Sequence, residues 1–289
     1  MDYSGIWIPF ITPFKDGQVD YASLQKIIRH YTAQGATGLV PMGTTGESPT
    51  ISAAEYERVL AATLEYNEAG LPVVVGLGSS DTADLLKRVK MVEKYPVQGI
   101  LSVCPYYNRP GQEGIYEHFT RLAETTYLDI IIYNIPYRTG REIANDTLRR
   151  LAEQRNIVAL KDASGDFNQS LDLLLDRPDN FQILCGEDLM FYSCALLGAD
   201  GGILASAHIH LAQFIEMLRL IRANDHQAAL EVWQRLAAFI PLIFAEPSPG
   251  PLKYLLQREG LIASDEIRLP MTNISPELAQ KLDAAIKTI

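Results

Sequence analysis

Short apolar runs recur eight times in residues 1–224, and an amphipathic stretch follows each of them. The runs are Ile6 to Ile11, Leu39 to Met42, Val73 to Leu77, Ile100 to Cys104, Ile130 to Tyr133, Ile157 to Lys161, Gln182 to Cys185 and Gly202 to Ala205. Most are continuous-apolar rather than alternating, which predicts strands buried on both faces. The stretches between them carry helix signals. Asp20 precedes a segment in which Leu24, Ile27, Ile28 and Tyr31 share one face, and Ser52-Ala53-Ala54-Glu55 is a capping box that opens a helix to about Glu68. Further helices are expected near 82–94, 116–123, 146–154, 171–175, 190–197 and 211–222. Eight strand–helix units of similar length point to a closed parallel barrel, whereas an open doubly wound sheet more often ends after five or six strands. The predicted fold is an α/β (β/α)8 TIM barrel over residues 1–224. After Asn224 the alternation stops. Helical patterns at Gln227 to Phe244, Pro251 to Gln257 and Pro276 to Lys287 predict a C-terminal helical appendage, residues 225–289.

Twenty-five basic against 35 acidic residues give a net charge of −10, and no basic patch stands out. Nucleic acid and anionic membrane are therefore not expected partners. No run is long and apolar enough to span a bilayer. The opening Met1-Asp2-Tyr3-Ser4-Gly5 has neither the basic nor the apolar region of a signal peptide, so a cytoplasmic location is expected. Cys104, Cys185 and Cys194 are odd in number, lack C-x-x-C spacing and lie in apolar contexts, as reduced, buried thiols do.

In such a barrel the chemistry lies at the carboxyl ends of the strands. Lys161 ends an apolar run there. Desolvation of its ammonium should lower the amine's pKa, and a neutral lysine amine can attack a ketone to form a Schiff base. The structural alternative is a lysine that snorkels outward or pairs with Asp162. Tyr133 ends the preceding run, where a phenol can relay protons to that amine or simply bond to backbone. Gly43-Thr44-Thr45-Gly46 offers hydroxyls and amides to a carboxylate, or is a plain turn. Arg138 follows Pro136 in a turn and suits bidentate capture of a carboxylate, or is a solvated surface arginine. Gly186-Glu187-Asp188 and Gly201-Gly202-Ile203 complete the set. His208 and His210 flank Ile209 at strand-like spacing without a neighbouring carboxylate, which favours structural roles over a metal site.

These motifs, in this order, resemble the dihydrodipicolinate synthase / N-acetylneuraminate lyase superfamily of pyruvate-dependent class I aldolases. The likeness spans Gly43-Thr44-Thr45-Gly46-Glu47, Pro105-Tyr106-Tyr107-Asn108-Arg109-Pro110, Tyr133-Asn134-Ile135-Pro136, Lys161, Glu246-Pro247-Ser248-Pro249 and Arg268-Leu269-Pro270-Met271. It implies that Lys161 forms the Schiff base with pyruvate, and that Tyr133, Thr44 and Tyr107 relay protons, with Tyr107 reaching into a neighbouring subunit. It further implies that Thr44 and Thr45 sit near the pyruvate carboxylate, and that Gly186 and the carbonyl of Ile203 line the pyruvate pocket. Arg138 would receive the carboxylate of a second substrate. No metal or other cofactor is implied, and a homotetramer is. Arg138-Thr139-Gly140 and the Tyr106-Tyr107 pair place the chain nearest the dihydrodipicolinate synthase branch. That branch condenses pyruvate with L-aspartate-4-semialdehyde on the way to diaminopimelate and lysine. Leu204-Ala205-Ser206-Ala207-His208 and Ser248 depart from its usual pattern, which keeps open a related aldolase acting on a 2-keto-3-deoxy sugar acid. A non-catalytic acid sensor is disfavoured by intact Lys161, Tyr133 and Thr44. The branch's allosteric lysine site would map onto Ser48, Pro49, Ala53, Tyr56, Ser80, Asp84 and Tyr106. At that site Ala53 and Tyr56 replace histidines, Ser80 an asparagine and Asp84 a glutamate, so weak or absent feedback by lysine is expected.

Overall fold

The structure, a computed structural model, describes residues 1–286. Among them the strands are β1 (Gly5–Ile8), β2 (Phe14–Lys15), β3 (Gln18–Val19), β4 (Gly38–Leu39), β5 (Val74–Gly76), β6 (Gly99–Val103), β7 (Asp129–Asn134), β8 (Ile157–Asp162), β9 (Gln182–Cys185) and β10 (Gly201–Ile203). Eight of them form one sheet in the order β4-β1-β10-β9-β8-β7-β6-β5. Strands β5 to β10 pair with their sequence neighbours in parallel, as β1 does with β4. A helix lies between successive strands of this series, and the fold is the expected (β/α)8 barrel with a helical C-terminal segment.

Several strands are shorter than their apolar runs. Pro9 and Pro41 carry no N–H to donate to a ladder, so β1 stops at Ile8 and β4 at Leu39. Met42 then turns into the left-handed region at φ 53°. The hairpin β2–β3 was not anticipated. Its signal is Asp16-Gly17, a two-residue turn with both φ positive, at 52° and 76°.

The chain groups into two compact units, one of Met1–Gly5 and Pro72–Ile203, the other of Ile6–Leu71 and Leu204 onward. The first holds β5 to β10. Its core is built from the runs themselves, and Ile130, Ile131, Ile132, Ala159 and Leu184 are fully buried. Tyr3 ties the N-terminal segment to it: its hydroxyl donates to Asp129 Oδ2 at 2.7 Å, and its amide donates to Gln182 Oε1 at 2.7 Å. Gly201 has no room for a side chain, because a Cβ would lie 2.0 Å from the carbonyl oxygen of Gly5.

In the second unit the helix Tyr21–Ala33 buries the predicted face, Leu24, Ile27, Ile28 and Tyr31, and Asp20 caps it by accepting from the Ser23 amide. The capping box at Ser52 and Glu55 is formed in both directions. Helices Ala207–Arg222, His226–Ile243, Gly250–Arg258 and Pro276–Ala285 follow. Phe214, Leu236, Phe239, Leu252, Leu255 and Leu256 pack their inner faces. Each fully buried apolar side chain of this size contributes roughly 1.5–3 kcal/mol. The expected extension of the last helix to Lys287 lies outside the described residues. His208 lies in a helical turn that starts at Ala207, its N–H on the Ala205 carbonyl, and His210 sits at a kink with φ −125° and ψ 37° before the helix continues to Arg222; neither lies in a strand. Both rings are buried, His208 edge-on to Tyr31 at 5.4 Å and His210 edge-on to Phe239 at 4.8 Å. No helix among the described residues is long and apolar enough to cross a membrane.

Burial holds the imidazoles of His118, His208 and His210 down at about 4. An unfolded imidazole titrates near ~6.5, so between these values the unfolded chain binds the extra protons and stability rises with pH. The urea midpoint should therefore fall as pH drops from about 6.5 to about 5.5, before ordinary carboxylates titrate appreciably. A flat midpoint over that range, measured by circular dichroism, would mean these rings charge without cost.

Candidate active site

Strand alternation decides which side chains meet at the end of the sheet in the first unit. The register pairs Tyr133 of β7 with Lys161 of β8, and Lys161 with Leu184 of β9. Lys161 is 6% exposed, and its Nζ stands 4.2 Å from the centroid of the Tyr133 ring. Burial pushes the amine down to about 8. Asp188 opposes that shift, Arg138 reinforces it, and Cys185 and Glu187 oppose it more weakly. The pairing of Lys161 with Asp162 is not formed. The Asp162 carboxylate accepts from the Ser164 amide at 3.0 Å and from the Ser170 hydroxyl. Successive residues of a strand point to opposite faces, which sends the two side chains apart.

Gly186 follows β9, and its missing side chain makes room for the lysine stem. A Cβ there would lie 2.7 Å from Lys161 Cε and 2.8 Å from Cγ. Its amide donates to the Asp162 carbonyl at 2.6 Å. The next two residues are acidic. Asp188 is buried, and burial together with Asp188 and Asp162 raises the carboxyl pKa of Glu187. Ile203 ends β10 and is fully buried.

Arg138 lies in the short helix Pro136–Thr139, which ends on Gly140 in the left-handed region at φ 70°. Its side chain is exposed, stands 5.4 Å over the Tyr137 ring, and still acts electrostatically on Lys161. Sequence reasoning missed the brace behind this turn. Arg109 Nε donates to the Gly140 carbonyl at 2.8 Å, and Arg141 in turn donates to the Arg109 carbonyl at 3.1 Å. Tyr107 is 93% exposed, so it does not pack into a site of its own chain, and its backbone is left-handed at φ 69°.

Thr44 and Thr45 belong to the second unit, in the loop after β4. Thr45 is buried and Thr44 half-buried. The loop is a tight turn in which the Gly46 amide donates to Gly43 and the Glu47 amide to Thr44, both at 3.1 Å. Thr12 Oγ1 donates to the Gly46 carbonyl at 2.7 Å. Glu47 closes the turn in the left-handed region at φ 56°. Its carboxylate is buried and forms an ion pair with Lys253, a fully buried lysine of helix Gly250–Arg258. Lys253 also donates to the Glu266 carbonyl at 2.8 Å and stands 4.1 Å over the Phe14 ring. Lys253 went unremarked in the sequence, although a lysine between Leu252 and Leu255-Leu256 is a signal of the same kind as Lys161.

Among the described residues no group of three or more His, Cys, Asp or Glu could hold a metal ion. Cys104, Cys185 and Cys194 are free and buried. Desolvation lifts the Cys104 thiol to about 12, and a hydrogen bond with Cys194 and burial raise that of Cys185.

The sequence matches the Dihydrodipicolinate synthetase family over residues 2–289. It is 56% identical over 283 residues to 4-hydroxy-tetrahydrodipicolinate synthase 2 of Clostridium acetobutylicum, covering 98% of this chain and 99% of that one. It is 37% identical over 284 residues to the 4-hydroxy-tetrahydrodipicolinate synthase of Cytophaga hutchinsonii, covering 98% and 95%. The crystal structure of the dihydrodipicolinate synthase from Thermotoga maritima aligns with a TM-score of 0.96 at 33% identity, over 100% of this chain and 99% of that one. That of the Acinetobacter baumannii enzyme complexed with pyruvate aligns at 0.95 with 35% identity, over 98% of each. With the match running almost end to end in both sequence and fold, the chain belongs to the dihydrodipicolinate synthetase family.

Proposed function

We propose that the chain is a carbon–oxygen lyase that condenses pyruvate with L-aspartate-4-semialdehyde, the 4-hydroxy-tetrahydrodipicolinate synthase reaction of lysine and diaminopimelate biosynthesis. The observation that carries the reading is the desolvated Lys161 amine, paired in register with Tyr133 and within electrostatic reach of Arg138. The activity of the Clostridium acetobutylicum relative, at 56% identity, supports it. A pKa of about 8 leaves roughly one amine in ten neutral at pH 7, against on the order of one in three thousand for an ordinary lysine. The neutral amine attacks C2 of pyruvate. Loss of water gives the imine, and removal of a C3 proton gives an enamine. The enamine carbon attacks the aldehyde, the amino group of the semialdehyde displaces Lys161 by transimination, and the ring closes. Tyr133, Thr44 and Tyr107 are assigned to the proton transfers, and Thr44 together with Thr45, Gly186 and the Ile203 carbonyl to pyruvate. Arg138 is assigned to the semialdehyde carboxylate. No metal or other cofactor is assigned a step, because the lysine supplies the electron sink. A cytoplasmic homotetramer accommodates the exposure of Tyr107, whose hydroxyl would enter a neighbouring copy. Residues 1–224 are taken as the catalytic barrel and 225–289 as its helical appendage.

Pyruvate with borohydride should add a reduced three-carbon unit to Lys161, at a rate that rises with pH about a midpoint near 8. Lys161→Arg should abolish the adduct and lower turnover by several orders of magnitude. An adduct located elsewhere by peptide mass spectrometry would sink the Schiff-base assignment.

Arg138→Ala should raise the KM for the semialdehyde by roughly one to two decades, the value of a charge-assisted bond of ~1.5–3 kcal/mol, with the pyruvate adduct intact. Unchanged semialdehyde kinetics alongside turnover of sugar-derived aldehydes would favour a sugar-acid aldolase instead.

Feedback by L-lysine should be weak or absent. Asp84 reaches one methylene less than a glutamate would and lies 3.9 Å from Arg88, and Ser80 has a smaller hydrogen-bonding reach than an amide side chain. An initial-rate titration showing strong inhibition below a millimolar would contradict this.

A further inference from the structure

Glu47 occupies a backbone conformation that glycine fills far more readily, with φ 56° and ψ 36°. A glutamate is retained there with its side chain turned inward. Both carboxylate oxygens are engaged: Oε1 faces Lys253 Nζ, and Oε2 accepts from the Arg268 amide at 3.2 Å. Arg268 holds the far side of the same loop. Its guanidinium donates to the Thr50 carbonyl at 2.9 Å, to the Gly17 carbonyl at 3.0 Å and to both oxygens of Glu55. The segment from Thr44 to Glu55 is thus fastened at both ends to residues of the C-terminal helical region, all within the second unit.

A buried ion pair is a poor way to gain stability, since an apolar pair of similar volume often does as well or better. What it adds is direction. Lys253 has a fixed position, set by the Glu266 carbonyl and the Phe14 ring, and the carboxylate must meet it. The Glu47 amide, one residue's backbone away, donates to the Thr44 carbonyl at 3.1 Å. Any slip of Glu47 is therefore passed directly to the threonine pair.

We propose that Glu47 is a positioning residue for pyruvate, and that its tie to Lys253 makes the helix Gly250–Arg258 part of the apparatus that holds the Thr44–Thr45 turn in its carboxylate-binding form. The proposal rests on the assignment of Thr44 and Thr45 to pyruvate. Lys253 and Glu47 touch no reacting atom, and they act through the turn.

The test is a split of steady-state constants on the full-length enzyme. Glu47→Gln keeps the side-chain shape and removes the charge. It should raise the pyruvate KM at least tenfold, with the semialdehyde KM changed less than threefold. Leu255→Ala, a fully buried leucine of the same helix, serves as the structural control. It should lower the thermal midpoint at least as far while leaving the pyruvate KM within threefold of the parent. The double variant Glu47→Gln/Lys253→Met buries no orphaned charge. It should recover most of the midpoint but keep the raised pyruvate KM, and it carries the measurement should Glu47→Gln not fold. A pyruvate KM within threefold of the parent in either variant overturns the proposal, as does a rise of equal size in Leu255→Ala. Failure of the parent enzyme to form a borohydride-trapped pyruvate adduct on Lys161 would instead overturn the underlying functional reading.

Discussion

A parallel strand covered on both faces has almost nowhere to place a polar side chain except its carboxyl end. Inside the ladder most neighbours are apolar, and an unpaired charge there costs several kcal/mol. At the last residue or two, the side chain meets loops that bring amides, hydroxyls and counter-charges. The chemistry in the first unit follows from that constraint. Tyr133 and Lys161 are the polar ends of two runs that are otherwise isoleucine, valine, alanine and leucine. The register that sets Ile132 opposite Leu160 also sets the phenol opposite the amine.

The same burial that protects the lysine makes it reactive. Desolvation is the largest influence on its amine, and the acidic residues after β9 only partly offset it. A surface lysine beside a carboxylate would be held as the ammonium and would be a poor nucleophile. Asp162 is prevented from quenching the amine by strand geometry and by its engagement with Ser164 and Ser170. Arg138 is held outside this pocket on a turn braced by Arg109, so one cation can lower the amine's pKa and still face solvent.

Much of this was legible in the sequence because it rests on local pattern. Continuous apolar runs announce buried parallel strands, and Asp20 and Ser52-Ala53-Ala54-Glu55 announce helix starts, all of which formed. Strand ends were less legible where proline truncated a ladder, as after Ile8 and Leu39. The spacing of His208 and His210 could not by itself separate a strand from a kinked helix start, but the structural role expected of them matches two buried rings packed against Tyr31 and Phe239. Contacts remote in sequence were the hardest to read. Nothing near Lys253 in the chain points to Glu47, about two hundred residues earlier, and nothing near Arg109 points to Gly140. Such pairs are set by where the fold returns the chain.

Gly186 carries a consequence for how such a chain can drift over generations. Every substitution there adds at least one carbon, and the first carbon already overlaps the stem of the reactive lysine. The position therefore resists change for as long as the nucleophile keeps its place, because any substitution forces the lysine stem to shift. Gly43 is the opposite case, since a Cβ there would meet nothing within 4 Å. Two glycines that look alike in the sequence thus face opposite selection, one fixed by the atoms beside it and the other free to change unless a bound molecule needs the space.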